Sequence, residues 1–207
     1  MRIFIGIDLD DAVRAKIARF VEGISGFAPE ARWVRPESLH ITLKFIGEQK
    51  EEQVGAISER LRQIHSGTIE IRMAGYGFFP TAKAPRVFWI GIHAGTELAQ
   101  LAGDIDEAVG ELGVPREERE FSPHLTLARA GGHGKRSSGD PRWRKDDRPN
   151  SVFSVLQKRL AKMGDPEFGT MTADKFILYQ SQLSPTGSKY TKLERFPMLP
   201  SAAPLNP

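Results

Sequence analysis

Two copies of one short pattern hold the residues best able to do chemistry: His40-Ile41-Thr42-Leu43 and His124-Leu125-Thr126-Leu127. Each lies in an apolar stretch with strand character, whose two-residue period puts His and Thr on one face and the aliphatic pair on the other. Imidazole, with an ordinary pKa near ~6.5, can be neutral in one copy and protonated in the other near neutral pH. A neutral imidazole takes a proton from water while a protonated one gives a proton to a departing oxygen, which is what displacement at a phosphodiester requires. The threonine hydroxyl shares the face and is placed to hold a non-bridging phosphate oxygen as charge develops. Nothing in this scheme calls for a metal or cofactor, and neither strand supplies a carboxylate or second histidine at an alternating position for a metal site. The symmetry of the copies leaves open which histidine is the acid and which the base.

The surroundings repeat as well. Phe4 precedes His40 by the same interval as Phe88 precedes His124, and Gly6-Ile7 and Gly91-Ile92 follow the two phenylalanines at nearly matching offsets. A duplicated unit delivering one imidazole per copy to a shared cleft is the simplest account. Arg129, five residues after His124, belongs on the opposite face unless the strand ends or bulges at Ala128. From a bulge it could return as a phosphate clamp; otherwise it caps the strand in solvent. Phe45 occupies the corresponding place after His40, as a cleft wall, a surface for stacking a base, or core. His65, His93 and His133 lack such context and read as structural or solvent-exposed.

The elements that must position these residues alternate in type. A strand over about 3–8 leads into a helix capped by Asp8 or Asp10, with Val13, Ile17, Val21 and Ile24 as its buried stripe. A breaker-rich loop over 26–36 precedes the first motif strand, about 39–46. A helix over about 51–65 turns Val54, Ile57, Leu61 and Ile64 inward, and strands follow near 69–76 and 86–93. The order then restarts: a helix over about 96–112 stopped by Gly113, the second motif strand over about 121–128, and a helix over 151–163. A hairpin from Asp174 to Phe196, turning at Ser184-Pro185-Thr186-Gly187, closes the chain, and 201–207 is expected to fray.

The chain has 207 residues, 40% apolar and 27% charged, which suits one large globular domain or two small lobes. No apolar run approaches the roughly 20 residues of a membrane span, and no leader pattern is visible, so a cytoplasmic protein is expected. The lack of cysteine excludes disulfides and thiolate chemistry and fits a reducing compartment. The segment 131–150 holds six cations against three carboxylates, an excess equal to the formal +3 of the whole chain. It is either a solvated insertion or a collar that gathers a phosphate backbone, with Arg142, Arg144 and Lys145 around a stacking Trp143.

On these residues the chain resembles the 2H phosphoesterases, named for paired His-x-Thr motifs, and among them the RNA 2′,3′-cyclic phosphodiesterases, also called 2′-5′ RNA ligases. The resemblance runs through Arg2-Ile-Phe-Ile-Gly-Ile-Asp8, Leu39-His-Ile-Thr-Leu-Lys-Phe-Ile-Gly-Glu48, Ser122-Pro-His-Leu-Thr-Leu-Ala-Arg129 and Gly187-Ser-Lys-Tyr190. It implies an α+β, bilobal fold with pseudo-twofold symmetry. Two mainly antiparallel sheets would surround a central cleft, in one domain over 1–200 with internal repeats of about 1–87 and 88–200. It also implies metal-independent opening of a terminal RNA 2′,3′-cyclic phosphate to a 2′-phosphomonoester. His40 would donate to the departing 3′-oxygen, His124 would activate water, Thr42 and Thr126 would bind phosphate, and Arg129 and Tyr190 would line the site. No cofactor is implied, RNA is the partner, and a monomer is expected. The competing readings are a 2H enzyme acting on small cyclic nucleotides or 2′-5′ linkages, and a non-catalytic binder of RNA ends.

Overall fold

The computed structural model describes residues 1–131, 151–184 and 187–199. The basic positions Arg142, Trp143, Arg144 and Lys145, the tip of the last hairpin and the tail at 201–207 therefore lie outside the described residues. Within them the element order is β1 (Arg2–Asp8), α1 (Asp11–Ile24), β2 (Ala31–Trp33), β3 (His40–Glu48), α2 (Glu51–Leu61), β4 (Ile69–Phe79) and β5 (Val87–Ala94). It continues with α3 (Thr96–Gly110), β6 (His124–Ala130), α4 (Ser154–Leu160), β7 (Glu167–Ala173), β8 (Lys175–Ser184) and β9 (Gly187–Pro197). The fold is α+β, as expected, with two antiparallel sheets ordered β3-β1-β8-β9 and β2-β6-β5-β4-β7.

Most expected elements are present with shifted ends. Asp10 is the cap of α1, its Oδ1 accepting from the Val13 amide at 2.7 Å. Asp8 is engaged elsewhere, by Arg14 Nη2 at 2.5 Å and by Lys192. The second motif strand begins at His124 because Pro123 has no amide to offer a ladder. Gly113 ends the α3 turn with φ +84°, a conformation that glycine adopts without strain.

Two strands were not expected. β2 is three residues long, too short to show a period, and lies in the proline-rich loop. In β7 the buried residues are Phe168, Met171 and Ala173, so the alternation breaks where the pairing with β4 shifts at Met73.

Each sheet draws on both halves of the chain. β1 pairs with β8, and β5 pairs with β4, so the last strands of each half complete the sheet begun by the other. Ile5, Ile7, Ile41 and Leu43 of one sheet share a single core with Phe88, Ile90, Leu125 and Leu127 of the other and with the buried stripes of α1, α2 and α3. Phe4, Ile177 and Tyr179 form a small separate cluster on the other face of the four-stranded sheet, with Tyr190 beside it.

Candidate active site

The two motif strands run next to each other, β3 from one sheet and β6 from the other. Both histidines are held in the same way. His40 Nδ1 lies 2.8 Å from the Ser38 carbonyl oxygen, and His124 Nδ1 lies 2.8 Å from the Ser122 carbonyl oxygen. A carbonyl only accepts, so Nδ1 carries the proton in the neutral ring and Nε2 is left with its lone pair. The pattern is thus Ser-x-His-x-Thr in both copies. The serines carried no signal in the sequence because a backbone carbonyl from any residue type could accept there.

A bulge in each motif strand sets what else reaches the site. Across β1, Thr42 pairs with Gly6 and Lys44 with Ile5, leaving Leu43 without an opposite residue. Across β5, Thr126 pairs with Trp89 and Ala128 with Phe88, leaving Leu127 without one. Both extra residues stand three after the histidine, and each reverses the alternation. Phe45 and Arg129 consequently share the face of His40 and His124. Phe45 is 56% exposed, so it is a wall of the cleft and no part of the core.

The coincidence between Phe4 and Phe88 does not survive. Phe4 stands opposite Phe45 on the cleft side, whereas Phe88 stands opposite Ala128 in the main core. The strand positions that match are Asp8 opposite His40 and Gly91 opposite His124, one residue out of step with the spacing of the phenylalanines. One residue of slip puts a side chain on the other face.

Aromatic rings surround both imidazoles. Phe4 lies 4.6 Å from His40 centroid to centroid, with Tyr190 edge-on at 5.0 Å and Tyr179 at 5.8 Å. Phe79 meets His124 edge-on at 4.9 Å, and Trp89 lies at 6.4 Å. Burial pushes His40 down to about 4, against the Ser38 carbonyl and the Asp8 carboxylate, which favour the charged ring, and together with Arg129 and Arg14, which oppose it. Burial also lowers His124, again against its serine carbonyl and with Arg129. Arg129 therefore acts electrostatically on both rings and lies within reach of both.

Space opens on either side of Thr42 and Phe45. One arm, ≈ 360 Å³, is lined by His40, Thr42, Phe45, Thr126, Arg129 and Tyr190 among others. The second, ≈ 870 Å³, holds His124 and Ser122 and shares Thr42 and Phe45 with the first. His40, His124, Thr42, Thr126, Arg129, Phe45 and Tyr190 thus line two arms that meet at Thr42 and Phe45, while Arg142, Trp143, Arg144 and Lys145 lie outside the described residues. Arg2 on the first arm and Arg32, cross-strand neighbour of Arg129, add positive charge that the sequence did not signal. Like charges placed opposite each other repel, which suits a site that receives an anion. Among the described residues no three His, Asp or Glu side chains gather as a metal ion would require.

The LigT-like phosphoesterase family model matches residues 7–89 and 90–138. The chain belongs to that family. It is 35% identical over 196 residues to the RNA 2′,3′-cyclic phosphodiesterase of Archaeoglobus fulgidus, covering 95% of this chain and 99% of the relative. A relative of the same name from Thermus thermophilus is 31% identical, over 95% of this chain and 89% of the relative. The crystal structure of Escherichia coli LigT complexed with 3′-AMP superposes with a TM-score of 0.72 at 26% identity, covering 95% of this chain and 97% of that one. A crystal structure from Thermus thermophilus does so at 0.75 and 26%, covering 98% and 100%. The protein is an enzyme of the phosphoesterase class, and the resemblance drawn from the paired motifs is borne out.

Proposed function

We propose that this chain opens the 2′,3′-cyclic phosphate at the end of an RNA strand to a 2′-phosphomonoester, with His40 as acid and His124 as base. The observation that carries the reading is the matched pair of Nδ1–carbonyl bonds. They leave two Nε2 atoms for proton transfer beside a cleft holding two hydroxyls and a guanidinium. His124 Nε2 takes a proton from water as the water oxygen bonds to phosphorus. The bond from phosphorus to O3′ breaks, and His40 Nε2–H protonates the departing oxygen. Thr42, Thr126 and Arg129 hold the non-bridging oxygens as charge builds, and Tyr190 bounds the site next to Arg129. Phe45 offers its exposed ring to the terminal base.

The roles are those the family resemblance implies. The Asp8 carboxylate stands across from His40 and Gly91 across from His124; the carboxylate works against the burial that holds the His40 pKa down to about 4. Joining the cyclic phosphate to a 5′-hydroxyl puts that hydroxyl in the place of water, with His124 removing its proton and His40 again protonating O3′. The named relatives support RNA as the substrate. In this reading the enzyme works as a cytoplasmic monomer without a cofactor; no helix among the described residues is long and apolar enough to cross a membrane.

The test is incubation of the purified protein, in EDTA, with a short RNA ending in a 2′,3′-cyclic phosphate, followed by location of the phosphate in the product. A 2′-phosphate is expected. A 3′-phosphate would reverse the assignment of the leaving oxygen, and an unchanged RNA would refute the substrate.

A further inference from the structure

Beyond His124, Thr42 and Phe45, the larger arm of the cleft has no part in the chemistry proposed above. It starts at His124, Thr42 and Phe45 and runs past Phe79, Pro80 and Phe121 to the face of α3 that carries Ala99 and Gly103. At ≈ 870 Å³ it is more than twice the volume of the arm beside His40, and it lies within the range of about 300–1,000 Å³ in which proteins bury organic ligands. A cyclic phosphate and its Thr and Arg partners do not fill such a space.

The chamber has a fixed wall. Residues 115–122, which lead into the His124 motif, are pinned by the buried Lys44 ammonium. Lys44 Nζ lies 2.6 Å from Asp106 on α3, donates to the Pro115 carbonyl at 2.7 Å, and approaches Glu117 at 3.4 Å. Lys44 is 2% exposed, so this tie is shielded from water. Its attachment uses two of the carboxylates that line the chamber, whose lining also includes Glu120, Arg119 and Arg86. The lining thus combines aromatic and aliphatic side chains with guanidinium groups, the combination that takes up a nucleobase and its phosphate. The arm beside His40 has Arg2 and Arg129, and no carboxylate lines it.

We propose that this chamber is the subsite for the nucleoside that precedes the terminal one in the substrate RNA, its base lying against Phe121 and Phe79. The proposal rests on the RNA phosphodiesterase reading and deepens it, because it makes the enzyme prefer a strand over a mononucleotide. The commitment to that occupant follows from continuity: the chamber opens directly onto the residues around the phosphate, and the chain connecting two nucleosides must leave the reacting centre through such an opening.

The experiment compares kcat/KM for adenosine 2′,3′-cyclic phosphate and for the dinucleotide ApA ending in a 2′,3′-cyclic phosphate. The wild type is set beside Gly103→Phe and Phe121→Ala. Gly103 lines the chamber and a Cβ added there meets nothing within 4 Å, so the site has room for the start of a larger side chain. Loss of a stacking aromatic costs about 5- to 150-fold per base. The wild type is expected to favour the dinucleotide by at least about tenfold, and each variant to bring the ratio of the two substrates close to one. A wild-type ratio near one, or a dinucleotide preference that survives in Gly103→Phe, overturns the subsite. Turnover of neither substrate by the wild type overturns the function reading itself, and the subsite with it.

Discussion

Arg129 bears on both histidines at once, and its removal separates binding from proton transfer. The guanidinium lowers the pKa of His40 and of His124, each already lowered by burial. The free enzyme is active when one ring is protonated and the other neutral, a state most populated between the two pKa values. With both below the ordinary 6.5, kcat/KM should peak on the acid side of that value and fall as pH rises through the higher of the two. In Arg129→Met both rings regain basicity, so the peak should move to higher pH, while KM rises roughly 10-fold or more for the lost charge-assisted bond. A pH profile of kcat/KM for the two proteins checks this; an unmoved profile would place Arg129 out of reach of the rings. At this scale the sequence was informative about the repeated His and Thr and left Arg129 open between a phosphate clamp and a solvent-facing cap. Its face depends on a bulge at Leu127, and Leu-Ala-Arg reads the same with or without one.

At the scale of the element, the critical piece is β3, which carries His40 and Thr42 into the cleft and sends Lys44 into the interior. Lys44 links β3 to α3 through Asp106 and to the segment before β6 through the Pro115 carbonyl, so the two motif strands are held relative to each other by one ammonium. Lys44→Met removes the cation and leaves the four-fifths buried Asp106 carboxylate without a counter-charge, held among the described residues only by the Glu117 amide at 3.2 Å. Breaking a buried pair from one side costs about 3–5 kcal/mol. Glu117 is more than half exposed and re-solvates, which favours the lower end, roughly 3 kcal/mol. Urea unfolding at neutral pH measures it, and a change below about 1 kcal/mol would reduce the tie to an ordinary surface pair. Periodicity made β1, β3, β5 and the three longer helices legible. β2 and β7 were not, because one has only three residues and the other has Gly169 at φ +107° where the alternation breaks.

Over the whole molecule, the duplication visible in the sequence divides the chain differently from the way the sheets do. Two repeats can be traced from the paired motifs, yet β8 and β9 complete the sheet of β1 and β3, while β4 joins that of β5 and β6. Strand pairing between distant segments leaves no mark in a single sequence, so this exchange was not readable there. It predicts that a fragment of residues 1–87, which leaves β1 and β4 without their partners from the second half, stays unfolded, while the intact chain unfolds in one transition. Circular dichroism and amide exchange of the fragment check this; protected amides in β1 would contradict it. The proposed chemistry asks one imidazole from each half to serve one phosphate, and it is the contact of β3 with β6 that brings the two motif strands together. The most direct measurement of that claim is kcat for His40→Ala, His124→Ala and the double variant on an RNA ending in a 2′,3′-cyclic phosphate. Groups acting as one unit lose their effect together, so each single substitution should cost about 10²–10⁴-fold and the double no more than the worse single. Substitutions that leave turnover intact, or losses that multiply in the double variant, would contradict the two-histidine mechanism.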